Sequence, residues 1–191
     1  EAAAYQALIK KEFSDKGRAL KYIISSGIGA NEMFSHLLAS LHQAFGTSGI
    51  QWLVVDAPAD LRTLPVDATD DNTIVIEFSR SGTTEETLKI AELTRTRFTK
   101  RIIYANKGPL KELGLQLQKE NKPVLIFDLE TRIGGRLLRR LTPMTYGPME
   151  LSGMDIKAYA ADTDRYDSLL DFKHKEKSLA VSLARFFFVW V

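Results

Sequence analysis

The chain has 191 residues, enough for one domain with a sizeable hydrophobic core and short for two. Its 26 Lys and Arg residues against 24 Asp and Glu residues give a formal charge of +2, too small to indicate nucleic acid or an anionic membrane surface as a partner. The absence of cysteine excludes disulfide and thiolate chemistry and favours a reducing compartment, so we expect a cytoplasmic protein.

Short apolar runs rich in β-branched residues alternate with amphipathic helical stretches up to Leu129. This alternation indicates βαβ units and a largely parallel sheet covered by helices on both faces. We therefore predict an α/β fold, a three-layer α/β/α sandwich of flavodoxin-like type with a five-stranded parallel sheet. The predicted strands are Lys21–Ser25, Gln51–Asp56, Thr73–Phe78, Arg101–Ala105 and Pro123–Phe127, and the predicted helices are Ala30–Phe45, Thr84–Phe98 and Leu110–Glu120.

Beyond Leu129 the pattern changes to helical stretches without strands, including Met144–Leu151 and Lys175–Trp190. We predict one domain over 1–191, with its core at 20–155 and a C-terminal helical segment at 156–191. Because the chain begins without Met and ends in an apolar run, we expect it to be a fragment of a longer chain. Two helices carry apolar residues at helical spacing that we expect to face the sheet: Met33, Phe34, Leu37, Leu38, Leu41 and Phe45 in one, and Leu88, Ile90, Ala91 and Leu93 in the next.

The predicted buried strand Thr73–Phe78 runs directly into a hydroxyl-rich turn and a helix, and residues 79–87 read SRSGTTEET. A helix N-terminus leaves backbone N–H groups unpaired and carries partial positive charge, and hydroxyls can donate to phosphate oxygens. Gly82 would let a ligand approach the backbone closely. This pattern predicts a phosphate site. The other interpretation is a capping box, in which Ser or Thr side chains only close the helix N-terminus.

Three segments, in this order, resemble the sugar isomerase (SIS) domain of phosphoglucose isomerases. Ser26–Asn31 is similar to the Gly-Ile-Gly-Gly-Ser turn of that family, Ser79–Thr87 resembles its phosphate loop, and Ile133–Arg136 resembles its Val-Gly-Gly-Arg segment. Leu151–Asp155 is similar to the Gly-Ile/Met-Asp that follows in the family. The resemblance covers 20–155 and corresponds to the first SIS subdomain of the glucose-6-phosphate isomerase family.

The resemblance implies a hexose 6-phosphate as ligand. Arg80 stands where the family has a lysine, which keeps the charge and changes the hydrogen-bonding geometry. The positions that match the family's phosphate-binding residues are Ser79, Arg80, Ser81, Thr84 and Thr87.

The resemblance also implies residues for the sugar and for the reaction. Gly29, Ala30 and Asn31 would lie near the sugar, although Asn31 replaces the family's serine. Arg136 would steady the negative charge of an enediolate while glucose 6-phosphate and fructose 6-phosphate interconvert. No metal or organic cofactor is implied, and neither nucleic acid nor a membrane is an expected partner. A homodimer is expected.

The family's proton-transferring groups are a Glu, a His and a Lys downstream of the Gly-Gly-Arg segment, and this chain ends before them. We therefore expect the catalytic base to lie outside the chain and the 191 residues alone to be inactive. His36, His42 and His174 show neither metal-type spacing nor an evident carboxylate partner, and we predict that they are surface residues.

Two other functions remain open. The chain could be a stand-alone SIS module that senses a phosphosugar without turning it over. It could also be a nucleotide-binding Rossmann or flavodoxin-like domain, with the glycine turn at a pyrophosphate and Asp56 as the acidic residue after the second strand. The glycine spacing of the Rossmann pattern is not matched.

Overall fold

The computed structural model describes residues 2–27, 30–45 and 49–129, and also 147–149, 151, 153, 155, 157–158 and 161. Side chains in the first two ranges are described at 3–27 and 35–44. The chain divides into two compact units, Glu1–Met154 and Asp155–Val191. In the second unit the Asp155 carboxylate accepts hydrogen bonds from the backbone N–H groups of Lys157 (2.9 Å) and Ala158 (3.0 Å). The single domain over 1–191 stays a prediction.

Five strands form one parallel sheet in the order β2-β1-β3-β4-β5, as predicted. β1, β3 and β4 are buried at every residue, which explains why their sequences are apolar on both faces. The five predicted strands are confirmed, with ends shifted by one residue at most. The observed bounds are β1 Tyr22–Ser26, β2 Gln51–Val55, β3 Thr73–Phe78, β4 Arg101–Tyr104 and β5 Val124–Phe127.

Four α-helices in the first unit are described from end to end. The three predicted helices are present, and a further one, α1, precedes the first strand. Two short 3-10 helices cover Ser14–Lys16 and Pro58–Thr63. Of the predicted helix Met144–Leu151, residues 147–149 and 151 are described and helical; Lys175–Trp190 lies outside the described residues. The α-helices are α1 Ala2–Glu12, α2 Ala30–Phe45, α3 Glu85–Thr94 and α4 Gly108–Lys119.

Helices cover both faces of the sheet, so the three-layer α/β/α architecture is confirmed. On one face, α3 and α4 pack on the strands through Ile90, Ala91, Leu110 and Leu117. The opposite face carries an aromatic stack in which Tyr5 of α1, Tyr104 of β4 and Phe127 of β5 take part. On the same face, α2 contributes Leu38 and His42, and the His42 ring contacts Trp52 of β2.

Two predicted core positions are wrong: Leu37 is 53% exposed and Leu93 is 52% exposed. In α3 the buried residues are Thr87, Ile90, Ala91 and Thr94, which repeat at helical spacing and place two threonines against the sheet. The buried face of α3 therefore includes Thr94, which accepts a hydrogen bond of 2.9 Å from the Arg101 side chain. Arg101 belongs to a buried ion pair below the helix.

That ion pair joins Glu77 of β3 to Arg101 of β4, and both side chains are fully buried. The Arg101 guanidinium donates to Glu77 Oε1, to Thr94 Oγ1 and to the Phe98 carbonyl oxygen. Burial raises the pKa of the Glu77 carboxyl, while the charge and hydrogen bond of Arg101 act in the opposite direction. The pair therefore occupies apolar surroundings in which each charge depends on the other.

Asp70 joins the turn before β3 to the residues before β4, at the edge of the sheet opposite the predicted site. Its carboxylate accepts a bond of 2.6 Å from the Thr99 N–H and pairs at 2.9 Å with Lys100 Nζ, which is buried. Burial opposes ionisation of Asp70, but the hydrogen bonds from Thr99 and Lys100 outweigh it and lower its pKa below 3.8.

We expect Asp70→Asn to lower the free energy of unfolding by about 2 kcal/mol at pH 7, because the buried Lys100 loses its counter-charge. The loss is smaller than for a fully buried pair because Asp70 itself is partly exposed. A depressed carboxyl pKa stabilises the fold above the unfolded-state pKa, so the difference should shrink as the pH falls below 3.8. Urea unfolding at pH 7 and pH 3 measures it. Asp71→Asn, which breaks only the exposed pair with Arg18, is the control and should change little.

Candidate functional site

The predicted phosphate segment lies at the carboxyl edge of the sheet, beside the point where the strand order reverses. The chain passes from β1 to β2 on one side and then returns to β3 on the other side of β1. The segments after β1 and β3 therefore diverge and leave a crevice between them. Ligands of open α/β sheets bind in such crevices.

Residues 79–84, which we call the anion loop, join β3 to α3 through a tight turn. The Ser79 N–H donates to the Tyr104 carbonyl oxygen (3.0 Å), which continues the sheet by one residue. The Gly82 N–H donates to the Ser79 carbonyl oxygen (3.0 Å), and Gly82 has φ +67°. This left-handed conformation closes the turn and is costly for any residue with a Cβ.

Gly82 packs against the loop that joins β4 to α4. A Cβ on Gly82 would lie 1.8 Å from the Lys107 carbonyl oxygen, and a Cβ on Gly108 would lie 2.7 Å from the Ser81 carbonyl oxygen. The Leu110 N–H also donates to the Gly82 carbonyl oxygen (3.1 Å). Glycine is therefore required here because two backbone segments of the protein approach each other closely. This contact holds the anion loop in place, and the sequence alone does not reveal it.

The hydroxyl groups of the anion loop bond to one another. Ser79 Oγ and Thr84 Oγ1 are 2.9 Å apart, and Ser81 Oγ accepts bonds from the Thr83 N–H (3.2 Å) and the Thr83 hydroxyl (2.9 Å). Thr84 is the N-cap residue of α3, yet no side chain caps the helix there. The capping-box interpretation is therefore wrong, and the first N–H groups of α3 keep their capacity to bind an anion.

The predicted phosphate-binding residues differ in accessibility. Arg80 and Ser81 are exposed and Thr84 is half-buried, whereas Ser79 and Thr87 are fully buried. Thr87 Oγ1 has no hydrogen-bond partner among the described residues. An unpaired buried hydroxyl is costly, and an acceptor at this helix N-terminus would satisfy it.

The predicted sugar-side residues lie after β1, the strand next to β3. Ala30 and Asn31 form the beginning of α2, so a second helix N-terminus lies at the carboxyl edge of the sheet. Gly29, Arg136 and His174 lie outside the described residues. The anion loop and the start of α2 thus belong to neighbouring strands and face the same crevice edge.

The two described histidines differ from the prediction in different ways. His36 is exposed, as predicted, but it has a carboxylate partner, since Nε2 lies 2.8 Å from Asp56 Oδ2. His42 is only 7% exposed, so its prediction as a surface residue is wrong; its Nε2 bonds to the Ile50 carbonyl oxygen. Helical spacing turns His42 inward toward Trp52. Asp56, which a dinucleotide site would need, is thus engaged by His36.

Among the residues described here, no group of three or more His, Cys, Asp or Glu side chains could hold a metal ion. Within the same residues, no helix combines the length and apolarity needed to cross a membrane. A separate groove of about 700 Å³ runs along the outer edge of β2, where His36, His42 and Trp52 are among the lining residues. It does not include the anion loop.

No protein-family model matches the chain, and no curated protein matches it in sequence. Solved structures do match its fold. A hypothetical protein from Thermus thermophilus is similar with a TM-score of 0.66 at 20% identity, over 97% of this chain and 45% of that one. A candidate phosphosugar isomerase from Salmonella typhimurium gives a TM-score of 0.57 at 13% identity, over 91% of this chain and 53% of that one.

The NanR protein of Vibrio vulnificus, in a complex with ManNAc-6P, gives a TM-score of 0.51 at 14% identity, over 89% of this chain and 61% of that one. This chain therefore spans 45–61% of the length of these three structures. At these identities the likeness concerns the fold, and it shows that the chain has an SIS-like α/β fold with an all-parallel five-stranded sheet.

Proposed function

We propose that the chain is a phosphosugar-binding SIS domain of a glucose-6-phosphate isomerase-like protein, with the anion loop and the first turn of α3 holding the phosphate. The observation that carries the proposal is the uncapped N-terminus of α3 beside a loop of four hydroxyl residues at the strand-order reversal. The phosphate would replace the hydroxyl-to-hydroxyl bonds of the loop with stronger charge-assisted bonds. Two structural neighbours, described as a candidate phosphosugar isomerase and as a ManNAc-6P complex, support this ligand class.

Within this proposal, each matched residue has a defined chemical part. Ser81 and Thr84 donate hydroxyl hydrogens to phosphate oxygens, and Arg80 adds positive charge at the rim of the site. Ala30 and Asn31 lie on the sugar side, and Arg136 steadies the enediolate oxygen. The base that moves the proton between the two sugar carbons lies outside these 191 residues, so the chain alone binds without turnover.

A phosphosugar sensor without catalysis is the second candidate, and the NanR complex with ManNAc-6P supports phosphosugar binding by this fold. The two candidates share the anion loop and differ in whether Arg136 acts on a reacting sugar. A homodimer and a cytoplasmic location remain predictions from the family resemblance and from the cysteine-free composition.

We expect wild-type protein to bind fructose 6-phosphate in a calorimetric titration and the Ser81→Ala/Thr84→Ala double variant to bind at least about 100-fold more weakly. Each lost hydrogen bond to a charged group costs about 1.5–3 kcal/mol. Ser40→Ala, which removes a hydroxyl on α2 at the β2 groove, is the control and should bind as wild type does. Unchanged affinity in the double variant would contradict the site, and turnover by the chain alone would contradict the absence of a base.

A further inference from the structure

We propose that Asn106 is a positioning residue, which couples occupancy of the anion loop to the order of the backbone at Leu129. The inference rests on the proposed function and goes beyond it, because neither residue belongs to the predicted phosphate or sugar contacts. The main chain of Asn106 contacts the anion loop, and its side chain contacts Leu129.

The Asn106 side chain bonds to both polar backbone groups of Leu129, which lies two residues after the end of β5. Its Nδ2 donates to the Leu129 carbonyl oxygen (2.6 Å), and its Oδ1 accepts from the Leu129 N–H (2.5 Å). β4 and β5 pair only up to Tyr104 and Phe127, with one further bond from the Ala105 N–H to the Phe127 carbonyl oxygen (3.1 Å). The Asn106 amide therefore replaces the next rung of the sheet and fixes Leu129, which is buried.

The main chain around Asn106 supports the anion loop. The Asn106 N–H donates to the Arg80 carbonyl oxygen (3.4 Å), and two residues later Gly108 packs against the Ser81 and Gly82 backbone. A displacement of Ser79–Thr84 by a ligand must therefore either carry residues 106–108 with it or break these contacts. Because interior packing leaves little free space, the first is expected.

Leu129 in turn begins the chain that leads to Ile133–Arg136, the segment that the family resemblance assigns to the reaction. Asn106 thus links the anion loop, through its main chain, to the backbone of Leu129, through its side chain. The contact does not touch the ligand, so its part is to position other groups. Linkage makes the coupling reciprocal: if the bound ligand stabilises the contact between Asn106 and Leu129 by some factor, loss of that contact must lower the affinity for the ligand by the same factor.

Hydrogen exchange of the Leu129 amide, followed by NMR with and without fructose 6-phosphate, tests the coupling. At a ligand concentration 100 times the Kd, we expect exchange at Leu129 to slow at least about threefold, and up to about 100-fold if opening releases the ligand entirely. In Asn106→Ala, adjusted to 100 times its own Kd, the slowing should fall below about twofold. Asn106→Leu, which has a similar size but can neither accept from the Leu129 N–H nor donate to its carbonyl oxygen, should lose the slowing likewise and serves if the alanine variant unfolds.

Gln118→Ala is the matched control. Gln118 Nε2 also donates to a backbone carbonyl at β5, that of Val124 (2.9 Å), but at the opposite end of the strand. This variant should keep the ligand-dependent slowing at Leu129.

Three results would overturn the inference, and they distinguish its failure from that of the proposed function. If the amides of residues 81–87 respond to the ligand while Leu129 does not, or if both Asn106 variants keep the wild-type slowing, the coupling is refuted and the binding site stands. If no amide in 81–87 responds, the proposed function fails and the inference fails with it.

Discussion

Gly82→Ala should abolish measurable fructose 6-phosphate binding and lower the free energy of unfolding by about 2–5 kcal/mol. The substitution imposes a left-handed conformation on alanine, at about 1–2 kcal/mol, and drives its Cβ to 1.8 Å from the Lys107 carbonyl oxygen. That neighbour is the backbone of Lys107, the N-cap residue of α4, so relief requires the anion loop to move away from the β4–α4 loop. The movement displaces Ser81 and Thr84 from the positions that phosphate binding needs.

Gly17→Ala separates the two causes. Gly17 has φ +66°, almost the same conformation, but a Cβ there meets no atom within 4 Å. It should cost only the conformational strain, about 1–2 kcal/mol, and leave fructose 6-phosphate affinity unchanged. Chemical denaturation and calorimetry of both variants measure the comparison. Equal effects of the two substitutions on binding would show that the contact between the loops does not shape the site.

Arg101→Met should destabilise the fold by about 3–5 kcal/mol at pH 8, because it leaves the fully buried Glu77 carboxylate without its counter-charge. Burial already raises the pKa of Glu77, and Arg101 opposes that rise, so the substitution should raise the pKa further. A carboxyl whose folded-state pKa lies above its unfolded value of 4.5 destabilises the fold as pH rises through that folded pKa. The deficit should therefore shrink from pH 8 toward pH 5, as Glu77 takes up a proton.

The double variant Glu77→Gln/Arg101→Met decides whether the missing partner is the cause. It removes both charges at similar volume and should recover most of the lost stability, with a weak dependence on pH. Lys111→Met, which removes the charge from an ion pair with the exposed Asp128, is the control and should cost at most about 1 kcal/mol. A double variant as unstable as Arg101→Met would mean that the packing of Arg101 matters more than its charge.

The sheet could be predicted because local signals and burial agree. β3 is apolar on both faces, and its predicted bounds, Thr73–Phe78, are those observed. α1 was not predicted: its buried Tyr5 stacks on Phe127, a residue far along the chain, and no local pattern reveals that contact. The burial of Leu93 was wrongly predicted for a related reason. The buried face of α3 includes Thr94, which bonds to the Arg101 side chain, and the helix sequence does not show that contact.

The chemical groups of the candidate site could be predicted from the sequence, whereas the contacts that hold its backbone in place could not. The hydroxyl cluster before α3 and its place at the carboxyl edge follow from residue types and from strand order. The partners of Gly82 and the hold of Asn106 on Leu129 depend on β4 and β5 lying beside β3, which only the assembled sheet supplies. His42 was misassigned because a lone histidine on a helix gives no sign of which face is buried.

The most direct test of the proposed phosphosugar site is a map of backbone amide chemical shifts during titration with fructose 6-phosphate. We expect the largest changes at the N–H groups of Ser81–Thr87, saturating with the calorimetric affinity, and small changes along the β2 groove. Largest changes at His42 and Trp52 in that groove, or no change at residues 81–87 at saturating ligand, would contradict the assignment of the anion loop as the phosphate site.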